Sequence, residues 1–403
     1  MAQQENAVCL FLKSCFSCLQ GFAQYFLPFL QPKKVRSTTT DPVYLNKWAM
    51  KKLQMALKSD PTVDLRDCLP LNYDSVMGVL SGARAKKDQE DQPPPPEFRT
   101  KIDYVNNAEV VFPLSDDVIE LLSRRSDGNK ELVGEELLIS LKRLIWESPK
   151  IWEMIVRGVV LKCSDKIALK VIRQRPDYIE YTTLQYLFEN LPDIPAPRPH
   201  GVIRLAPFTA FFMSHIPSMT LTEAWPNLNH EGKVSVQKQL EEIFQNLRTL
   251  RQDDGYPLGG VAGEGVKEPR KSCFAQEKTF NTAASFVGLQ FSLSKFLNKS
   301  YIQFIQTLQP PLKTGSVFTH GDVKKDNIMV EMGENNVCRV TGIIDWEDSG
   351  YYPDYFESTN LTCILDPRKE DDWYNYLPPC IDPAQFPHRW LLDRLWGLHH
   401  PIF

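Results

Sequence analysis

The chain has 403 residues, 42% apolar and 24% charged, a normal globular balance with enough apolar material for a large core. Its formal net charge of −4 excludes the basic field that general nucleic-acid binding needs, and no zinc-finger spacing or RNA-recognition aromatic motif is visible. Nine scattered cysteines fit a reducing, cytoplasmic setting better than a disulfide framework. The one CxxC spacing, Cys15-Phe-Ser-Cys18, lacks the second pair or nearby histidines that zinc requires.

Val8–Leu30 is rich in Phe, Leu and Cys but is interrupted by Lys13, Gln20, Gln24 and Pro28. Wound as a helix, it puts Val8, Leu12, Cys15, Leu19, Phe22 and Phe26 on one face. A helix docked on the domain or on a partner is the first reading. A membrane-surface helix, acylated at a cysteine, is the second, and a true span the third. Lys33–Thr40 reads as a linker. Asp41-Pro42 opens a helix through Leu57, with the aspartate as N-cap and the proline at the first helical position. Ser81–Thr100 reads as a surface loop, because the run Pro93–Pro96 can join neither a helix nor a central strand.

Leu114–Arg124 and Gly134–Trp146 read as helices. Val159–Lys162 and Ile167–Ile172 read as strands joined by the turn Ser164-Asp165-Lys166. Pro176–Leu191 follows as a helix with Leu184, Leu187, Phe188 and Leu191 on one stripe, stopped by the proline-rich Pro192–Pro199. Thr209–His215 is a further strand. From Leu221 the pattern is mainly helical, Lys233–Arg251 included, and strands return only at Asn327–Val330 and Val337–Ile344. The outline is α+β: a small sheet lobe on a larger helical lobe. The expected organisation is an N-terminal extension over 1–100, a nucleotide-binding lobe with its preceding helices over 101–217, and a helical lobe over 218–403.

The chemistry concentrates in Phe318-Thr-His-Gly-Asp-Val-Lys-Lys-Asp-Asn-Ile-Met-Val330 and in Ile343-Ile-Asp-Trp-Glu347. A polar loop carrying His320, Asp322, Lys324 and Asn327 runs into an apolar strand. A turn at Met332–Asn336 returns the chain along a second strand that ends at Asp345. The hairpin sets Asn327 beside Asp345, and two oxygen donors on a rigid hairpin suit magnesium. On the strand Ile167-Ala-Leu-Lys170, Ala168 and Lys170 share a face, the small residue leaving room for a base. Glu180 stands above the apolar stripe of the next helix, and an inward glutamate needs a cation, so a Lys170–Glu180 pair is expected.

HxDxxxxN followed by Ile-Asp-Trp-Glu, with the second aspartate 18 residues after the asparagine, resembles the aminoglycoside phosphotransferase family, a branch of the protein-kinase-like fold. Gly350-Tyr-Tyr-Pro-Asp-Tyr-Phe-Glu357 resembles a stretch seen in its fungal members. The resemblance spans roughly residues 155–365 and implies a two-lobed fold and transfer of the γ-phosphate of ATP to a small-molecule hydroxyl. It implies that Asp322 orients the acceptor hydroxyl and takes its proton, and that Asn327 and Asp345 hold magnesium on the nucleotide. Lys324 is either a contact to the transferred phosphate or a solvated lysine. His320 is read as structural, and Glu347 as a supporting or exposed residue. Ile167–Lys170 resembles the kinase third-strand motif, with Lys170 on the phosphates. Phe211–Ser218 resembles the hinge, with backbone groups near Met213 and His215 facing adenine.

No GxGxxG precedes the lysine strand; only Gly158 stands between Trp152 and Lys170. The acceptor pocket is expected from about 220–315 and the C-terminal helices. Asp253-Asp254 and Glu370-Asp371-Asp372 could hold a polycation or be solvated faces, and Trp373, Tyr374 and Tyr376 could form an aromatic wall or be core. The rival to an active kinase is a catalytically weak kinase-fold protein that binds nucleotide or a partner protein.

Overall fold

The computed structural model describes residues 42–69, 73, 97–126, 131–173, 177–268, 273–275, 279–292, 298–333, 337–366 and 370–398. The expectations for Val8–Leu30, Cys15–Cys18, Lys33–Thr40 and Pro93–Pro96 lie outside these residues, as do those for Asp41 and for the tip of the turn at Met332–Asn336. The chain divides into two compact units, Met1–Pro94 with Phe403, and Pro95–Ile402. In the first, helix α1 (Pro42–Ser59) opens on the proline. Asp60 caps the turn after it, its carboxylate accepting from the backbone N–H of Thr62 at 2.8 Å and from its hydroxyl at 2.7 Å. Among the described residues no helix is long and apolar enough to cross a membrane.

The second unit begins with a 3-10 helix, Phe98–Tyr104, where a loop through Thr100 was expected. Phe98 and Ile102 are buried, which winds the chain against the domain. Strand β1 (Glu109–Phe112) and helices α2 (Asp116–Ser123) and α3 (Gly134–Glu147) follow. Then come β2 (Lys150–Met154), β3 (Gly158–Lys162), β4 (Ile167–Arg173), α4 (Ile179–Asn190), β5 (Pro199–Leu205) and β6 (Phe208–Ser214). The strands make one antiparallel sheet in the order β1-β5-β6-β4-β3-β2. Alternation sorts its faces. Leu169, Val171, Ala210 and Phe212 pack with Leu122, Leu141 and Leu144 of α2 and α3. Ala168 and Lys170 use the other face, opposite Met213 and Phe211 of β6.

On α4, Leu184 and Leu187 are buried as expected, but Phe188 is 53% exposed and lies under the Arg198 guanidinium. After the short β7 (Met219–Thr220) a capping box of Thr220 and Glu223 starts a turn of helix. Helix α5 (His230–Leu247) is capped by Asn229 and buries Val236, Leu240, Phe244 and Leu247 at helical spacing. This lobe is less purely helical than expected. It contains β8 (Arg251–Gln252), β9 (Val266–Glu268), β10 (Cys273–Ala275), α6 (Ala283–Ser292), α7 (Lys299–Thr307) and β11 (Ser316–Thr319). The hairpin β12 (Ile328–Met332) and β13 (Cys338–Ile343), β14 (Gly350–Tyr352) and α8 (Pro387–Leu398) complete it. The hairpin packs Ile328, Val330 and Ile343 into one core with Leu184, Leu240, Phe244, Phe318 and Trp346, so α4 and α5 brace it from two sides.

Candidate active site

Strand β11 delivers the catalytic loop. Its four residues are all buried, pairing with β14 on one side and β8 on the other. Gly321 follows at φ +86°, and a Cβ there would lie 2.3 Å from the Asp348 carbonyl oxygen, so the His-Gly-Asp step admits only glycine. The Glu357 carboxylate accepts from the backbone N–H of His320 at 2.7 Å and of Gly321 at 3.1 Å. The His320 ring is fully buried against Trp346, 4.5 Å between ring centres. Its Nδ1 accepts from the Asp322 N–H at 3.2 Å and its Nε2 donates to the Ile344 carbonyl at 3.0 Å, which fixes the neutral Nε2–H tautomer. Burial lowers its pKa in agreement with that assignment. His320 thus splices the catalytic loop to the end of β13.

Asn327 is buried at the start of β12, its backbone carbonyl accepting from the Ile344 N–H at 2.9 Å. The Asn327 side-chain amide donates to the Asp322 carbonyl at 2.9 Å and to its carboxylate at 3.0 Å. Lys324 is partly buried, and its ammonium donates to the same carboxylate at 2.5 Å. Burial, which would lower the Lys324 pKa, is outweighed by Asp322.

Asp345 has φ +67°, the one positive value for a non-glycine among the described residues. Strain of this kind collects where a side chain must be aimed. Its carboxylate accepts from Lys170 Nζ at 2.6 Å, and the same ammonium donates to Glu180 at 2.7 Å, so the expected Lys170–Glu180 pair forms and gains a third member. Burial alone would push the Asp345 carboxyl up; Lys170, then Arg157 and Lys324, hold it well below the usual range. Burial pushes Glu180 up, opposed by Lys170.

Glu347, expected to be supporting or exposed, is 5% exposed and stands 3.5 Å from the Lys170 ammonium. It also pairs with Arg157 from the turn between β2 and β3. Lys267 of β9 is buried behind the loop, donating to Asp177 at 3.1 Å and to the Glu347 carbonyl. Arg157, Lys267 and Asp177 have no signature in local sequence; an arginine close before Gly158 was the one available hint. The carboxylates of Glu180, Asp345 and Glu347 each offer an oxygen within 4.8 Å of the others. Facing them are Lys170 and Arg157, so the cluster keeps an anionic excess. Such a set of hard oxygens fits a divalent cation and the phosphates that accompany it.

At the hinge, Ala168 lies directly opposite Met213. The His215 N–H is taken by the Lys166 carbonyl at 2.7 Å, which removes that donor from an adenine edge. The acidic run at 370–372 is engaged: Asp371 accepts from Lys325 at 2.7 Å, and Asp372 from Lys233 at 2.6 Å and Trp225 at 2.7 Å. Trp373 is core, packed edge-on against Trp225. A cavity of about 140 Å³ elsewhere in this lobe is lined by residues including Pro310, Leu312, Tyr355, Phe386 and Arg389, and by none of the site residues.

A small antiparallel lobe carrying a lysine–glutamate bridge, joined to a hairpin with an Asp-Asn loop and a strained aspartate, is the arrangement of a protein-kinase-like fold. Residues 175–367 match the family model described as APH, a phosphotransferase enzyme family. No curated protein sequence matches the chain. Solved structures similar to it include a streptomycin-ATP-APH(2'')-IIa ternary complex, 13% identical with a TM-score of 0.42, covering 72% of this chain and 90% of that one. Another is the aminoglycoside phosphotransferase APH(3'')-Id from Streptomyces rimosus in complex with ADP and streptomycin, 14% identical with a TM-score of 0.36, covering 60% of this chain and 90% of that one.

Glu357 gives the site a pH signature. Burial pushes its carboxyl up to about 7 against the two backbone N–H bonds it accepts. A folded pKa above the unfolded value means the folded state holds the proton more tightly. The stability from this group is therefore full below the ordinary 4.5 and is lost as pH rises through about 7. Urea denaturation of Glu357→Gln against pH should be flatter than wild type across that window. An unchanged slope would mean that the carboxyl titrates normally.

Proposed function

We propose that the protein is an ATP- and magnesium-dependent phosphotransferase that passes the γ-phosphate to a hydroxyl of a small molecule. The observation that carries this reading is Lys170 bridging Glu180 on α4 to Asp345 on the hairpin. It ties the nucleotide lobe to the catalytic loop through one buried ammonium. In this reading Lys170 binds the nucleotide phosphates, Ala168 and Met213 bound the base, and Asn327, Asp345 and Glu347 supply oxygens to the metal. Magnesium, when bound with ATP, neutralises charge on the transferring phosphate. Asp322 orients the acceptor hydroxyl and accepts its proton late in the transfer, because any carboxylate is a far weaker base than an alkoxide. Lys324 beside Asp322 offers a cation to the phosphate as it moves. Asp371 and Asp372 are already paired, so that run lends no support to a polycationic acceptor. The test is ATP turnover with magnesium against a panel of sugars, amino alcohols and hydroxylated peptides. Turnover stimulated by one acceptor supports the reading; nucleotide binding without turnover on any of them favours a nucleotide-binding module instead.

A further inference from the structure

Arg157 is a cation in the site that no motif supplies. It ends the turn Ile155–Arg157 between β2 and β3, beside the lysine strand, in a chain with no GxGxxG before that strand. Its N–H donates to the Met154 carbonyl at 2.9 Å and its carbonyl accepts from the Arg173 N–H at 3.1 Å, so its backbone is anchored at both ends. Gly158 tightens that anchor, since a Cβ there would lie 2.4 Å from the Val171 carbonyl oxygen. What is left to move is the side chain. The Arg157 side chain is 40% exposed while that of its partner Glu347 is 7% exposed, so the arginine covers the carboxylate cluster from the solvent side. Burial would lower its pKa, but the charges of Glu347, Asp345, Asp348 and Asp322 raise it.

A divalent cation entering this cluster competes for the Glu347 oxygens, and the phosphates arriving with it need donors. Both demands are met if one ion pair changes partners. We propose that Arg157 is a phosphate ligand of the nucleotide: it rests on Glu347 and transfers its donors to the phosphates when the metal takes up the carboxylates. The planar guanidinium presents five donors and can grip phosphate oxygens two at a time, as the backbone N–H groups of a glycine-rich loop would. The inference rests on the phosphotransferase reading above.

Titration calorimetry of the full chain with ATP and with adenosine, in the presence of magnesium, tests it. Arg157→Ala should weaken ATP binding by about tenfold to a hundredfold, the cost of charge-assisted hydrogen bonds, and leave adenosine binding unchanged. Arg157→Lys, which keeps the charge and loses the fork, should fall between. Wild-type ATP affinity in Arg157→Ala, or an equal loss for adenosine, would overturn the inference while leaving the phosphotransferase reading in place. A wild type that binds no nucleotide would overturn both.

Discussion

Lys170→Met should cost the protein about 3–5 kcal/mol of stability, the range for removing one partner from a buried ion pair. Lys170 is 8% exposed, and removal of its ammonium leaves Glu180 and Asp345 facing each other with Glu347 close by. Some of the loss will appear as uptake of a proton, since Lys170 is what holds the Asp345 carboxyl down. Adding Glu180→Gln should restore part of the stability, because the double variant buries less uncompensated charge; the two effects should be non-additive. ATP affinity should not return with it, since the phosphates would still lack their cation. Urea denaturation of the two singles and the double measures the first part, and calorimetric titration the second. A Lys170→Met variant as stable as wild type would mean that the three-way bridge does not hold the lobes.

The second large effect concerns division of labour on the hairpin. Asp322→Asn should lower kcat by about 10²–10⁴-fold, the usual worth of a positioned proton acceptor, with ATP affinity little changed. Asp345→Asn should act the other way round, weakening magnesium-dependent ATP binding more than Asp322→Asn does. The geometry behind the contrast is plain. Asp322 is held by Asn327 and Lys324 on the loop, whereas Asp345 meets Lys170 from the other lobe. Equal losses of nucleotide affinity in the two variants would remove the distinction.

The hairpin was legible in the sequence because its information is local. Loop, strand, turn and strand lie in one run, and Asn327 comes beside Ile344 through simple β pairing. Lys170 and Glu180 were legible for the same reason, being ten residues apart on consecutive elements. Arg157 and Glu347 meet across 190 residues of chain, and nothing in either neighbourhood announces the other. Lys267, buried behind the loop, is joined to Asp177 across 90 residues. Missed strands have their own causes. Strand β2 is an edge strand with Ile151 and Trp152 both exposed, so the alternation that marks a half-buried strand is absent. Strand β5 starts on Pro199 and carries a bulge against β6, two features that read as a loop. Strand β11 is four residues long and buried on both faces, too short to show a period. The paired acids at 371–372 show the converse, a charge run whose partners came from α5 and the catalytic loop.

One measurement tests the central claim most directly: magnesium-dependent ATP binding and ATP turnover, followed side by side for wild type and Asp322→Asn. The expected result is comparable ATP binding by both proteins, with acceptor-stimulated turnover confined to wild type. Equal turnover in the two, or no magnesium-dependent ATP binding by wild type, would contradict it.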